Sequence, residues 1–137
     1  MYATKADIQN RIGADTLVLL ADDNKDGTAD ENVVNAALLE ASGRIDAILA
    51  GRYALPLASV PCILEWVCVS LAALQLYARM REDVPREHEI MGNAAMELLS
   101  FMRSGEISLP GNSPRTLAES TTRGKEKHFS PDRISEY

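Results

Sequence analysis

Three observations place this chain in the all-α class. Apolar residues recur every three or four positions along most of the first 110 residues, helix-opening residues stand at the head of those stretches, and the apolar content is aliphatic rather than aromatic. Hydrophobic residues make up 46% of the sequence and aromatics only 5%, so the core is drawn from Leu, Ala, Val, Ile and Met. A length of 137 residues suits one domain of ordinary size. The expected architecture is a small helical bundle of two short and three long helices with an extended, flexible C-terminal tail. Collagen-like, disulfide-dense and wholly disordered classes are excluded by the same composition.

Thr4, with Asp7 three residues on, is an N-cap for a short first helix that stops before Gly13. Asp15 caps a second, running through Leu20. After a loop over residues 21–29, Asp30 and Glu31 open a longer helix, whose apolar positions Val34, Leu38, Ala41, Ile45 and Ile48 step by three and four toward Gly51. Residues 52–60 contain Pro56 and no helical period, and read as an extended connector. Pro61 suits the first turn of a helix reaching about Glu82. Only 13 uncharged residues separate Glu65 from Arg79, short of the roughly 20 that a bilayer requires, so this is a core helix and no membrane partner is expected. Asp83 and Pro85 reset the chain into a last helix with Ile90, Met91, Ala94, Leu98, Leu99 and Met102 on one side, closed by Gly105. Residues 107–109 read as short and extended.

The chain thus divides into a helical adaptor body, residues 1–110, and a docking tail, residues 111–137. The body holds 9 basic and 16 acidic residues, the tail 5 basic and 4 acidic. Five apolar residues among the tail's 27 are too few to offset chain entropy, so in isolation it is expected to be disordered. A net charge of −6 argues against counterion release from phosphates as a source of binding, and no sequence-specific nucleic acid is expected. No secretory signal is visible near the N-terminus, which points to the cytoplasm. Cys62 and Cys68, six apart in a helix, sit roughly 120° apart around its axis and cannot bridge each other; they read as buried thiols.

The sharpest local motif spans residues 22–30. Asp22, Asn24, Asp26, Gly27 and Asp30 match positions 1, 3, 5, 6 and 9 of an EF-hand loop. Position 12, where a bidentate Glu belongs, is Val33. The same residues are what a tight turn before an Asp-capped helix demands, so a structural turn is expected, and Asp22, Asn24, Asp26 and Asp30 are kept only as the cation ligands of a rival reading. His88 begins a zinc-protease-like pattern that fails at Gly92, and His128 lies far off in the tail. Both read as solvated. No catalytic set, metal or cofactor is expected, and the protein is read as no enzyme.

Two stretches remain as interface candidates. Arg52, Tyr53, Pro56 and Leu57 lie on the connector, where Tyr53 and Leu57 serve equally well as plugs over the core or as partner contacts. Phe129, Ile134 and Tyr137 are apolar anchors at the end of the tail, the pattern of a docking peptide.

The opening residues 1–4, the Asp26-Gly27 turn with Asp30, Ile45-Asp46 leading into the block Gly51-Arg52-Tyr53-Ala54-Leu55-Pro56-Leu57, and Pro61 before an apolar helix resemble the phage Mu-type head-tail joining proteins. The likeness extends to the aromatic-ended segment over residues 129–137. It implies an all-α adaptor without enzymatic activity, forming a homo-oligomeric ring, commonly of twelve subunits, below the portal. The implied partners are itself, the portal protein and a tail-completion protein; the implied location is the host cytoplasm during assembly and then the virion neck. Readings from other classes are a small binding module, calcium-responsive through the loop over residues 22–30, and a dimeric accessory protein.

Overall fold

A computed structural model describes residues 1–115, and these form five α-helices and no strand: α1 (Lys5–Ile12), α2 (Ala14–Ala21), α3 (Glu31–Leu49), α4 (Cys62–Met80) and α5 (Arg86–Ser104). The all-α bundle of two short and three long helices is the fold observed. The expected tail from residue 116 onward, with Phe129, Ile134 and Tyr137, lies outside the described residues.

α1 begins with a full capping box. The Thr4 hydroxyl accepts from the Asp7 backbone, and the Asp7 carboxylate accepts in turn from the Thr4 N–H at 2.8 Å. α2 departs from expectation at its start: Gly13, at φ 93°, is its N-cap, and Asp15 sits inside the first turn, where its charge complements the helix dipole. The chain reverses so sharply between α1 and α2 that only a residue tolerant of positive φ fits the corner.

α4 is the axis of the molecule and contacts the four other helices. Ten of its 19 residues are buried, so although it is long and apolar enough by composition to cross a bilayer, its apolar surface is spent on the bundle. α3 runs antiparallel to α4, with Ser42 against Cys68 midway and Val33 and Ala37 beside Leu76 and Arg79 at one end. α5 folds back along α4 after the left-handed turn at Arg81, pairing Gly92 with Leu74 and His88 with Tyr77. The C-termini of α3 and α5 and the N-terminus of α4 therefore share one end of the bundle.

Several expected positions differ. On α5 the buried seam is Gly92, Ala95, Leu99 and Met102, while Ile90 is 57% exposed. The reason is steric: a methyl group on Gly92 would run into the Leu74 side chain, so the smallest residue faces α4 at this point and the larger Ile90 lies off the seam. Cys62 is exposed and only Cys68 is buried, because in the first turn of α4 it is Leu64 that faces the bundle while Cys62 and Ile63 face out. Its burial pushes the Cys68 thiol up from its ordinary pKa. His88 is not solvated, for its side chain is 11% exposed and its ring centroid lies 5.7 Å from that of Tyr77.

The N-terminus is tied to α3. The Tyr2 N–H donates to Ser42 Oγ at 3.2 Å and its hydroxyl donates to the Asp46 carboxylate, so burial first and this carboxylate second hold the phenol well above its usual range.

Candidate functional site

The two sequence-marked regions of the body lie at opposite ends of the bundle. At the end holding the N-terminus of α3 and the C-terminus of α4, residues 22–30 fold as a closed loop. Asp22 accepts from the N–H of Asp26 at 3.1 Å and of Gly27 at 2.9 Å; Asn24 Oδ1 also accepts from Asp26 N–H at 3.2 Å. Asp26 Oδ1 accepts from both the backbone and the hydroxyl of Thr28, which lowers its pKa. Asp30 closes the loop by accepting from Asp23 N–H at 3.0 Å, while Asp30 N–H donates to Ala21 O at 2.9 Å. Arg79 of α4 pairs with the Asp23 carboxylate and reaches Leu20 O, fixing the loop to the body. The arrangement brings oxygens of Asp22, Asp26 and Asp30 within 4.8 Å of one another. These carboxylates also do what a structural turn needs, since they satisfy loop N–H groups that the helices leave free.

At the opposite end the connector wraps the C-terminus of α3. Tyr53 is 1% exposed, and its hydroxyl accepts from the N–H of Leu109 at 3.1 Å. Its side chain is a plug of its own core and presents nothing to a partner; an amphipathic ring with a paired hydroxyl is well suited to that place. Leu57 is half-buried against the same core, Arg52 is half-buried and Pro56 is exposed. Residues 111–115 return to this connector. Asn112 and Ser59 exchange two hydrogen bonds, at 2.6 and 3.2 Å, and Arg115 N–H donates to Arg52 O at 2.6 Å.

Sequence reasoning passed over Arg103 and Arg115, which converge here with Arg52. Arg115 Nη1 donates to Ala50 O at 3.2 Å, and Arg103 Nε lies 3.9 Å from where a methyl group on Gly51 would stand. The guanidinium of Arg52 lies across Gly105, whose missing Cβ would be 2.7 Å from Cζ. Nothing local links these arginines; only the antiparallel packing brings them to one turn.

Fold and surface together define a small all-α protein with a carboxylate-rich loop at one end and an arginine-bearing turn at the other. Its lineage follows from comparison with known proteins: the chain belongs to the family described as Bacteriophage Mu, Gp36, whose model matches residues 2–127. It is 33% identical over 109 residues to the Mu-like prophage FluMu protein gp36 of Haemophilus influenzae, covering 80% of this chain and 75% of that protein. It is 34% identical over 119 residues to Gene product J of Escherichia phage Mu, covering 85% and 81% respectively. The resemblance to Mu-type proteins drawn from residues 1–4, the Asp26-Gly27 turn, the stretch from Ile45 to Leu57 and Pro61 therefore holds along nearly the whole chain. The family is one of phage and prophage proteins and not a known enzyme family.

Proposed function

We propose that this phage-family protein is structural, a head-tail connector that forms a ring below the portal and joins head to tail. The observation that carries the reading is the family match over residues 2–127, which runs through the folded body and on into the C-terminal segment. A compact helical wedge with a further segment beyond it suits an adaptor that is captured by neighbours, because a segment that orders on assembly loses its entropy at that step rather than during folding. The partners proposed are further copies of this chain, the portal protein and a tail-completion protein, met in the host cytoplasm and retained at the virion neck. The tail anchors Phe129, Ile134 and Tyr137 and the exposed Pro56 of the connector are the proposed contacts.

The test is head completion by a chain truncated after Arg115. Heads that fail to acquire tails, with the truncated protein still folded, are the expected result; tailed, infectious particles would remove the docking role. Electron microscopy of a portal-bound complex then reads the subunit arrangement directly.

One observation favours the rival reading of a calcium-responsive module, the convergence of Asp22, Asp26 and Asp30 within 4.8 Å. Val33 at the twelfth position offers no ligand, and the loop N–H groups already occupy these carboxylates. Calorimetric titration with calcium separates the two: absence of heat and an unchanged thermal midpoint leave only the structural turn.

A further inference from the structure

Charge is distributed unevenly along the bundle axis. At the loop end, residues 22–31 and 79–89 contain nine acidic and four basic side chains. At the other end residues 50–61 and 103–115 contain three basic side chains and one acidic, Glu106; Arg52, Arg103 and Arg115 surround the Ala50–Gly51 turn, and none of them has a carboxylate within 4.0 Å among the described residues. The Arg52 Nε is enclosed and has no acceptor there. Two helix C-termini meet at this turn, α3 and α5, each carrying roughly half a negative charge, while the α4 N-terminus adds roughly half a positive one. Those dipoles explain why arginines gather here, and even together with Glu106 they fall short of neutralising three guanidinium groups. Arg103 and Arg115 are exposed, so the excess positive charge faces outward.

We infer that this arginine cluster is an interaction surface for a second copy of the same chain, and that it receives the acidic end formed by the 22–31 loop and the α4–α5 turn. The inference deepens the adaptor reading and rests on it, since it names the surfaces through which copies of the adaptor meet. Three observations on the molecule favour this occupant. The complementary charge stands on the same chain at the opposite end of the bundle, so each copy offers one surface of each sign. A contact between two different surfaces is heterologous, and heterologous contacts close into rings when the rotation between copies allows. The C-terminal segment is a poorer fit, because residues 111–137 carry 5 basic and 4 acidic side chains and bring no excess of negative charge. Guanidinium groups also suit carboxylate partners, which they engage with paired N–H donors.

The test uses the full chain and two charge-reversed variants. The first, Arg103→Glu with Arg115→Glu, turns the basic end acidic; the second, Glu82→Arg with Asp83→Arg, reverses part of the acidic end. Sedimentation velocity reads self-association. The wild type should associate in 0.1 M salt, with affinity falling at least about tenfold in 1 M salt as the Debye length shrinks from about 10 Å to about 3 Å. Each variant alone should sediment as a monomer, because like charges then face each other. An equimolar mixture of the two should associate again, since each reversed end finds its complement. That recovery also shows that neither variant was lost to misfolding. A wild type that is monomeric at every salt concentration, variants that associate as the wild type does, or a mixture that stays monomeric would each overturn the inference. The adaptor reading would survive any of them, because head completion by the native chain is measured separately.

Discussion

Tyr53 shows at the level of one side chain how a surface candidate becomes a core residue. Its sequence context, a cation on one side and leucines beyond, suits an interface and a plug alike, because an amphipathic ring serves both; only the position of Leu109, 56 residues away, decides between them. Replacing Tyr53 with Phe keeps the ring and strands the buried Leu109 N–H, so urea denaturation should show a loss of about 1–2 kcal/mol with an unchanged m-value. Gly105 is a second case. It closes α5 at φ 91° with its N–H on Phe101 O, and the Arg52 guanidinium fills the space that a Cβ would take. That a glycine ends this helix was legible in the sequence, whereas its seat for Arg52 was not, since nothing local records a contact across 53 positions. Gly105→Ala should therefore cost about 1–2 kcal/mol, through left-handed strain and displacement of Arg52, and thermal unfolding should begin at lower temperature.

Helix by helix, local chemistry predicted existence well and faces less well. Thr4 with Asp7, the Asp30-Glu31 opening, Pro61, Pro85 and Gly105 mark ends correctly because capping is settled within a few residues. The buried face of α5 was read only in part: Leu99 and Met102 are buried as expected, whereas Gly92 and Ala95 take the places in the seam given to Ile90 and Ala94, because Gly92, a residue with no hydrophobic signal, packs against Leu74. The loop over residues 22–30 lies between these cases: its acceptors were visible as a motif, and its donors became visible only with the backbone. Asp26 makes four hydrogen bonds at the heart of that loop, its N–H donating to Asp22 and Asn24 and its Oδ1 accepting twice from Thr28, and its carboxyl pKa is depressed from the ordinary 3.8 by the Thr28 N–H first and the Thr28 hydroxyl second. In the unfolded chain the same group binds its proton more readily, so its contribution to stability is complete above about pH 3.8 and is lost as pH falls through the lower folded value. Thermal midpoints measured between pH 5 and pH 2 should fall more steeply for the native protein than for Asp26→Asn, which keeps an acceptor oxygen and has no proton to bind. Parallel slopes would mean that the loop does not hold the carboxylate as described.

Across the whole molecule, the bundle was readable from its apolar period and the lineage from a few residue blocks, chiefly residues 51–57, but the polarity was not, because Arg52, Arg103 and Arg115 meet only after three helices have packed. The same packing carries the folded body past residue 110. A boundary after residue 110 is what composition leads one to expect, since the 27 residues from Gly111 onward hold only five apolar side chains. Hydrogen bonds tie residues 111–115 to the body nonetheless: Asn112 is paired with Ser59, and Arg115 bonds both Arg52 O and Ala50 O, while Pro114 lies antiparallel to Tyr53. Two truncations should then behave differently. A chain ending at Arg115 retains every one of these contacts together with the buried core, and its unfolding free energy should match that of the full protein within about 0.5 kcal/mol. One ending at Pro110 gives up six hydrogen bonds and the cover over Tyr53, and should lose about 1–3 kcal/mol, a fall of several degrees in thermal midpoint for a domain of this size. Equal stability of the two would show that residues 111–115 lie against the body without holding it, whereas a large loss in the longer chain would place part of the fold's support beyond residue 115.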